Sequence, residues 1–202
     1  MYRASRLRIG ELVDDDVAGV PVPASEMWTV HDVVAHLVFG ASDVTSGNLD
    51  GAGSPPWTAV HVERGRDLTV SALLAVWEEY GTGMERLLAS PQGPRASAVV
   101  MDVNCHECDL RHALGLTPEP DPSFLDWAAP SLLGGFARAV DARSLPPVTV
   151  NAPQFEVFRG RLGRRTAGEV AGYAWSADPT GYLDAWFIFG PRDQPLGEAA
   201  PG

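Results

Sequence analysis

Two histidines and an aspartate stand at positions where their side chains can meet inside a helical protein. Asp102 and His106 are four residues apart, so they would share one face of a helix. His36 lies elsewhere in the chain, between Ala35 and Leu37 in a run of aliphatic residues. Helical bundles build metal sites from carboxylates and histidines that point inward on facing helices. We therefore treat these three residues as candidate ligands of a divalent metal.

The ligand types indicate which metals would suit such a site. Imidazole and carboxylate groups together suit zinc, nickel, iron or manganese, and of these we favour zinc. Three protein ligands leave coordination positions open for water or substrate, which is typical of catalytic rather than structural sites. Asp32, one turn before His36, and Asp109, seven residues after Asp102, are candidates for orienting the ligating histidines by hydrogen bonds.

Each of these residues also has an ordinary structural explanation. A single buried histidine such as His36 is more often a core residue than a ligand. Asp32 lies near an expected helix start, where the helix dipole alone favours a carboxylate. An aspartate and a histidine four residues apart are common on solvated faces, and Asp109 can be a surface acid. On spacing alone, a metal-free structural domain therefore remains an alternative.

The apolar pattern predicts four helices that would position the candidate ligands. Thr29 and Asp32 have the spacing of a capping box at one helix start. Gly115 fits the end of the fourth helix. The predicted helices cover residues 2–15, 30–44, 67–89 and 96–114, with a loop at 47–56. Four helices with short or moderate connections indicate a four-helix bundle.

A proline-rich segment, residues 117–122, predicts a boundary between two domains at 1–116 and 123–202. Beyond it the pattern is mixed, and we expect a small α+β domain. The expected helices lie at 124–142, 166–175 and 182–189, and the expected strands at 148–150 and 155–158.

Two smaller groups of residues are further candidates. Arg161 and Arg164 lie near an expected helix start and could bind an anionic group of a substrate or thiol cofactor. A solvated basic turn is the simpler alternative for them. Cys105 and Cys108 form a C-x-x-C pair, but inside a predicted helix and without a second pair. We interpret them as incidental thiols, with an added metal ligand from Cys105 as the alternative.

Composition excludes several classes of protein. Hydrophobic residues make up 45% and charged residues 20% of the chain, as in a globular protein. The formal net charge is −11, and 15 basic residues are scattered among 26 acidic ones, which disfavours a nucleic-acid partner. No apolar run approaches the roughly 20 residues that span a bilayer. With two cysteines and no evident signal peptide, we expect a cytoplasmic monomer or homodimer with small-molecule partners.

Two stretches of the chain resemble the signatures of the mycothiol-dependent maleylpyruvate isomerase family, which belongs to the wider group of DinB-like metalloproteins. The first stretch is Trp28-Thr29-Val30-His31-Asp32-Val33-Val34-Ala35-His36-Leu37. The second is His106-Glu107-Cys108-Asp109-Leu110-Arg111, followed by Ala113-Leu114-Gly115. The resemblance covers about residues 2–116. It implies an N-terminal all-α DinB-like four-helix bundle.

The resemblance also implies a ligand set and an activity. In the family the metal is held by a histidine of the first signature and by a carboxylate and a histidine four residues apart, which fall on His36, Asp102 and His106. The family's carboxylate is usually glutamate, so with Asp102 a metal would lie nearer its helix or bind more weakly. The implied function is a metal-dependent isomerase or thiol transferase that uses mycothiol, or another low-molecular-weight thiol, on a small electrophilic substrate. A non-catalytic zinc-binding regulatory or binding module of the same fold is the alternative.

Overall fold

The computed structural model describes residues 1–199 and divides the chain into two compact units, Met1–Pro118 and Glu119–Gly202. The division falls within the proline-rich segment 117–122. Among the described residues, no helix combines the length and the apolar character needed to cross a membrane. The candidate metal ligands all belong to the first unit, so its helices are the ones that matter for the site.

The first unit is helical throughout. Its helices are α1 (Tyr2–Leu12), α2 (Val30–Ser46), α3 (Pro55–Gly65), α4 (Val70–Leu88) and α5 (Ser97–Ala113), with a short 3-10 helix, Gly93–Ala96, before α5. Helix α1 packs against α5 and α4, while α2 packs against α3, α4 and α5. Helices α1, α2, α4 and α5 correspond to the four predicted from the apolar pattern.

Helix α2 begins at the predicted capping box. The Thr29 hydroxyl accepts a hydrogen bond from the Asp32 backbone N–H, and the Asp32 carboxylate accepts one from the Thr29 N–H at 2.8 Å. The helix ends at Gly47, whose backbone is left-handed with a φ of 78°. Its apolar face is buried, so the helix presents His36 to the interior of the unit.

Helix α3 is a correction to the sequence analysis, which placed a loop over 47–56 and no helix between residues 45 and 66. Pro55 and Pro56 occupy its first turn, where the backbone needs no N–H donor and the fixed proline φ favours a helix. Gly65 lets α3 approach α2 closely, because a Cβ atom at that position would lie 2.5 Å from the Ala35 Cβ. The close contact holds α3 beside the helix that carries His36.

Ion pairs with one buried member, Arg6 or Glu107, fix α1 against its neighbours. Arg8 donates to both carboxylate oxygens of Glu107 in α5, at 2.6 and 2.7 Å, and Ser5 donates to the same carboxylate at 2.6 Å. Arg6 is buried and donates to Glu78 and Glu85 of α4. Hydrogen-bonded pairs of this kind are costly to break by removing one partner, since the other charge is then left buried.

The second unit combines helices with a two-stranded sheet, as expected for a small α+β unit. Its helices are α6 (Pro122–Ala142), α7 (Gln154–Arg161), α8 (Ala167–Ala171) and α9 (Leu183–Trp186), with a 3-10 helix at Pro179–Gly181. Strands β1 (Val150–Asn151) and β2 (Ala174–Trp175) pair antiparallel, with Val150 opposite Trp175. Aromatic side chains fill the core, where Phe136 packs against the rings of Trp175 and Trp186.

Three of the elements expected in this unit were wrong, the first entirely and the other two in part. The segment 155–158 is a turn of helix α7 rather than a strand, because Phe155 and Phe158 share one buried face and the Phe158 ring packs 5.0 Å from that of Phe124. Alternation over only four residues does not separate a strand from a helix. The predicted helix at 166–175 ends at Ala171, and strand β2 follows it. The helix expected at 182–189 is shortened to α9.

Candidate metal centre

His36, Asp102 and His106 lie together in the first unit. His36 belongs to α2, and the other two stand one turn apart on α5. Their ligand atoms all lie within 4.8 Å of one another. The Nε2 atom of His36 is 3.3 Å from Asp102 Oδ2, and the Nε2 atom of His106 is 3.6 Å from Asp102 Oδ1. The structure therefore brings the three candidate ligands together as a group that could hold a metal ion.

The spacing of these atoms fits zinc-type coordination. Nitrogen and oxygen ligands bind zinc at about 2.0–2.2 Å, and two tetrahedral ligands at that distance are about 3.4 Å apart. The two nitrogen-to-oxygen distances in this group, 3.3 and 3.6 Å, are close to that value. Two imidazoles and one carboxylate are also a donor set that divalent transition metals accept. The residues present thus fit the expected metal.

The group is buried on one side and open on the other. The side chains of His36 and His106 are only 5% and 7% exposed, whereas that of Asp102 is 44% exposed. Among residues 1–199, no fourth histidine, cysteine, aspartate or glutamate joins the group. Three ligands with one exposed member leave room for a further ligand from solution.

Asp109 lies behind His106, as a residue that orients a ligand would. It is completely buried, and its Oδ2 atom is 3.0 Å from the Nδ1 atom of His106, on the ring edge opposite Nε2. The contact is at ion-pair distance but off the direction of an ideal hydrogen bond. A carboxylate in this place favours a proton on Nδ1 and leaves Nε2 for a metal.

His36 has a partner that the sequence analysis missed, which is His61 of α3. The Nδ1 atoms of the two rings are 3.1 Å apart, and the Nε2 atom of His61 is 3.0 Å from Asp43 Oδ2. Arg64 donates to the other oxygen of Asp43 at 2.7 Å. We refer to His36, His61, Asp43 and Arg64 in this order as the α2–α3 polar chain.

Burial and charge set the protonation of this chain. Burial lowers the pKa of His61, and the neighbouring Asp43 opposes this shift without overcoming it. Burial acts to raise the pKa of Asp43, but the hydrogen bonds from Arg64 and His61 outweigh it and hold that pKa below its usual value of 3.8. At neutral pH the α2–α3 polar chain therefore contains the neutral imidazole of His61 beside the ionised carboxylate of Asp43.

Two signals in the sequence could have revealed the α2–α3 polar chain. Asp43 stands seven residues after His36, so both share one face of α2. The two prolines after Ser54 have the pattern of a helix start, which would have placed His61 and Arg64 one turn apart on a helix.

Aromatic rings flank the histidines. The Trp28 ring centroid is 5.2 Å from that of His36 and 6.2 Å from that of His106. Trp57 packs edge-on against His61, with 4.2 Å between the centroids. These rings limit the positions that the imidazoles can adopt.

The contacts of Asp32 are those of a helix cap. Its carboxylate accepts hydrogen bonds from the backbone and hydroxyl of Thr29, and it lies 3.7 Å from His31 Nδ1. The Nδ1 atom of His36, which Asp32 was expected to orient, instead contacts His61. Cys105 and Cys108 are buried, are not joined in a disulfide and lie outside the three-residue group.

The two arginine candidates belong to the second unit. Arg161 is buried, donates to the Ala185 carbonyl at 2.9 Å and lies 5.6 Å from the ring centroids of Phe136 and Trp186. Burial lowers its pKa to about 10. Arg164 donates to the Leu162 carbonyl at 2.7 Å. Arg161 is thus enclosed by apolar rings rather than part of a solvated turn.

Comparison with known families agrees with the geometry of the first unit. The family model of the mycothiol maleylpyruvate isomerase N-terminal domain matches residues 3–111, just over half of the chain. The chain belongs to this family. The match spans all three candidate ligands, and together with the helical first unit it confirms the predicted family and its DinB-like bundle. Comparison with curated proteins and with solved structures finds no significant match.

Proposed function

We propose that the chain is a metal-dependent enzyme that acts with a low-molecular-weight thiol on a small electrophilic substrate. The observation that carries the proposal is the group of His36, Asp102 and His106, which combines two buried imidazoles with a carboxylate open to solvent. Membership of the family supports mycothiol as the thiol. A cytoplasmic location and a monomeric or homodimeric state stay predictions from the sequence.

The three residues would hold zinc, with nickel, iron and manganese as alternatives. When bound there, the metal supplies a Lewis acid that lowers the pKa of a thiol and favours its thiolate at neutral pH. Asp102 contributes the negative charge of the ligand set, and its exposed side is where a thiol can approach. Trp28 packs against both imidazole rings and covers that side of the site.

Two reactions fit a thiolate nucleophile. In an isomerisation, sulfur adds to one carbon of an electron-poor double bond, the electron pair moves onto the adjacent carbonyl group, and the new single bond rotates. Loss of the thiolate then restores the double bond with the opposite geometry. In a transfer, the thiolate is not lost. The carbon next to the carbonyl group takes up a proton instead, and the product is a thioether.

Arg161 is our candidate for binding an anionic group of the substrate or thiol, with Arg164 as the second. The Nε atom of Arg161 is buried without a hydrogen-bond partner, and no carboxylate among residues 1–199 pairs with this side chain. A buried guanidinium that lacks a counter-charge is costly, and an anionic ligand would supply that charge.

The proposal is tested with cobalt-substituted protein and mycothiol. Addition of mycothiol to the wild type should produce the near-ultraviolet absorption of a sulfur–cobalt bond, and His106→Ala should show none. The zinc protein is then incubated with mycothiol and a cis-configured unsaturated keto acid, and the products are followed by NMR. A trans product supports isomerisation, and a thioether supports transfer.

The control is His112→Ala, which removes a histidine of α5 outside the ligand group. It should behave like the wild type in both measurements. A metal-loaded protein that shows no sulfur–cobalt absorption and no turnover would overturn the enzyme proposal and favour a non-catalytic binding module.

A further inference from the structure

We propose that His61 is a positioning residue, which holds the candidate ligand His36 with its Nε2 atom free of a proton. The inference rests on the proposed metal-dependent function, but its central statement concerns the metal-free protein. His61 is completely buried, and both of its ring nitrogens are within hydrogen-bonding distance of a polar atom. A histidine used in this way is part of a network rather than a packing residue.

The direction of the hydrogen bonds follows from counting protons. The Nδ1 atoms of His36 and His61 are 3.1 Å apart, so one of them donates and the other accepts. The Nε2 atom of His61 is 3.0 Å from an oxygen of Asp43, and an ionised carboxylate can only accept. His61 is completely buried, and Arg64 already balances the charge of Asp43, so an uncharged His61 ring gives its single N–H to Asp43. Its Nδ1 atom is therefore an acceptor.

The same count of protons then gives the tautomer of His36. Its Nδ1 must carry the proton that His61 accepts, so in the neutral ring Nε2 carries none. That bare nitrogen lies 3.3 Å from the Oδ2 atom of Asp102, which is also an acceptor. Two acceptors facing each other repel, and a cation between them removes the repulsion. The network thus prepares His36 to bind a metal through Nε2 before any metal arrives.

Arg64 and Ser42 hold the end of the α2–α3 polar chain that lies away from His36. Arg64 donates to Asp43 at 2.7 Å and to Ser42 at 3.4 Å, and its guanidinium lies 4.4 Å from the Phe39 ring centroid. These contacts hold the Asp43 carboxylate charged and in a fixed orientation. The proton on His61 is consequently directed towards Asp43 rather than towards His36.

Removal of His61 should release His36 to the opposite tautomer. In His61→Phe, the Nδ1 atom of His36 loses its acceptor, and the ring can place its proton on Nε2 and donate to Asp102. A metal must then displace that proton, so the zinc affinity should fall about 10- to 100-fold. His61→Asn keeps an acceptor oxygen near the former Nδ1 position and should retain the zinc affinity within about threefold of wild type.

The decisive measurement is long-range nitrogen–proton NMR of the imidazoles in the metal-free full-length protein. The chain has five histidines, so single substitutions assign each ring. We expect His36 in the wild type to be protonated on Nδ1 only, and the same state in His61→Asn. In His61→Phe the signal should shift to a mixture or to the Nε2 tautomer. Zinc affinity is measured on the same samples by chelator competition.

The outcomes separate this inference from the proposed function. If wild-type His36 carries its proton on Nε2, or on both nitrogens, the inference is wrong, and this result requires no variant to fold. If His61→Phe is folded and keeps both the tautomer and the zinc affinity of the wild type, it is also wrong. If the wild type shows the expected tautomer and its loss in His61→Phe but binds no metal, the positioning role stands and the proposed function fails.

Discussion

His36 and His61 face each other through their Nδ1 atoms, 3.1 Å apart, although 25 residues separate them in the chain. The two rings come from different helices, so their contact depends on how closely α3 approaches α2. His36 at the candidate metal centre is thereby linked to a charged pair, Asp43 and Arg64, behind it. This relationship makes the packing of a short helix a determinant of the site.

Gly65→Ala should disturb the site through packing alone. The added Cβ atom would lie 2.5 Å from the Ala35 Cβ, so α3 must move away from α2. Overpacking of this kind costs about 1–3 kcal/mol of unfolding free energy. We expect that loss in chemical denaturation, together with weaker zinc binding.

Gly10→Ala in α1 is the matched control. A Cβ atom added at residue 10 meets nothing within 4 Å, and alanine should stabilise that helix by about 0.5–1 kcal/mol. Equal stability of the two variants would contradict the described packing.

Asp109→Asn should weaken metal binding without abolishing it. The variant keeps an oxygen near His106 Nδ1 but loses the negative charge that favours the ligating tautomer. The expected loss in zinc affinity, measured by chelator competition, is at least tenfold. An unchanged affinity in a folded variant would show that Asp109 does not act on the ligand.

In contrast to Asp109→Asn, Asp32→Ala should lower the stability of the protein and leave its zinc affinity nearly unchanged. Its carboxylate caps α2 through Thr29, so its removal should cost about 1 kcal/mol of unfolding free energy. The zinc affinity should stay within about twofold of wild type, because His61 rather than Asp32 contacts the Nδ1 atom of His36. Thermal denaturation and chelator competition on the same preparation give both values. A tenfold loss of affinity with unchanged stability would restore Asp32 as a residue that orients the ligand.

Acidification should destabilise the second unit through Glu198. Burial acts to raise the pKa of this carboxyl, but Arg159 and Arg165 outweigh it and hold the pKa below its usual 4.5. Its contribution is therefore present above about pH 4.5 and is lost as the pH falls through the lower folded-state value. Denaturation midpoints of the wild type should fall steeply in that range.

Glu198→Gln is the variant that isolates this effect. It should be less stable at neutral pH, because Glu198 no longer supplies a negative charge to Arg159, and its midpoint should fall less on acidification. Glu11→Gln, at an exposed position of α1, should keep the wild-type profile. Parallel pH curves for wild type and Glu198→Gln would rule out the assigned role of Glu198.

Much of the first unit follows from local rules. The capping box at Thr29, the apolar spacing along α2 and the glycine after α5 are local signals that favour helices, and the structure confirms these helices. The pairing of His36 with Asp102 and His106 was predicted because four-residue spacing and a family signature both pointed to it. The structure places the three side chains together.

The residues that the sequence analysis missed depend on contacts between distant segments. His61 lies between the loop predicted at 47–56 and the helix predicted from residue 67, where no element was expected, and its role arises only because Gly65 brings α3 against α2. Similarly, Phe155, Glu156 and Val157 alternate in polarity as in a strand, whereas in the structure Phe155 and Phe158 share the buried face of helix α7, and Phe158 packs on Phe124 of α6. Short segments have weak local preferences, and tertiary contacts decide their structure.

The most direct test of the account is the metal content of the protein purified without added metal. Elemental mass spectrometry should find about one equivalent of a divalent transition metal in the wild type and in His112→Ala, and none in His106→Ala. This result would establish that His106 holds a metal at the group described. Absence of metal from all three proteins, even after reconstitution with zinc or nickel, would contradict the central claim.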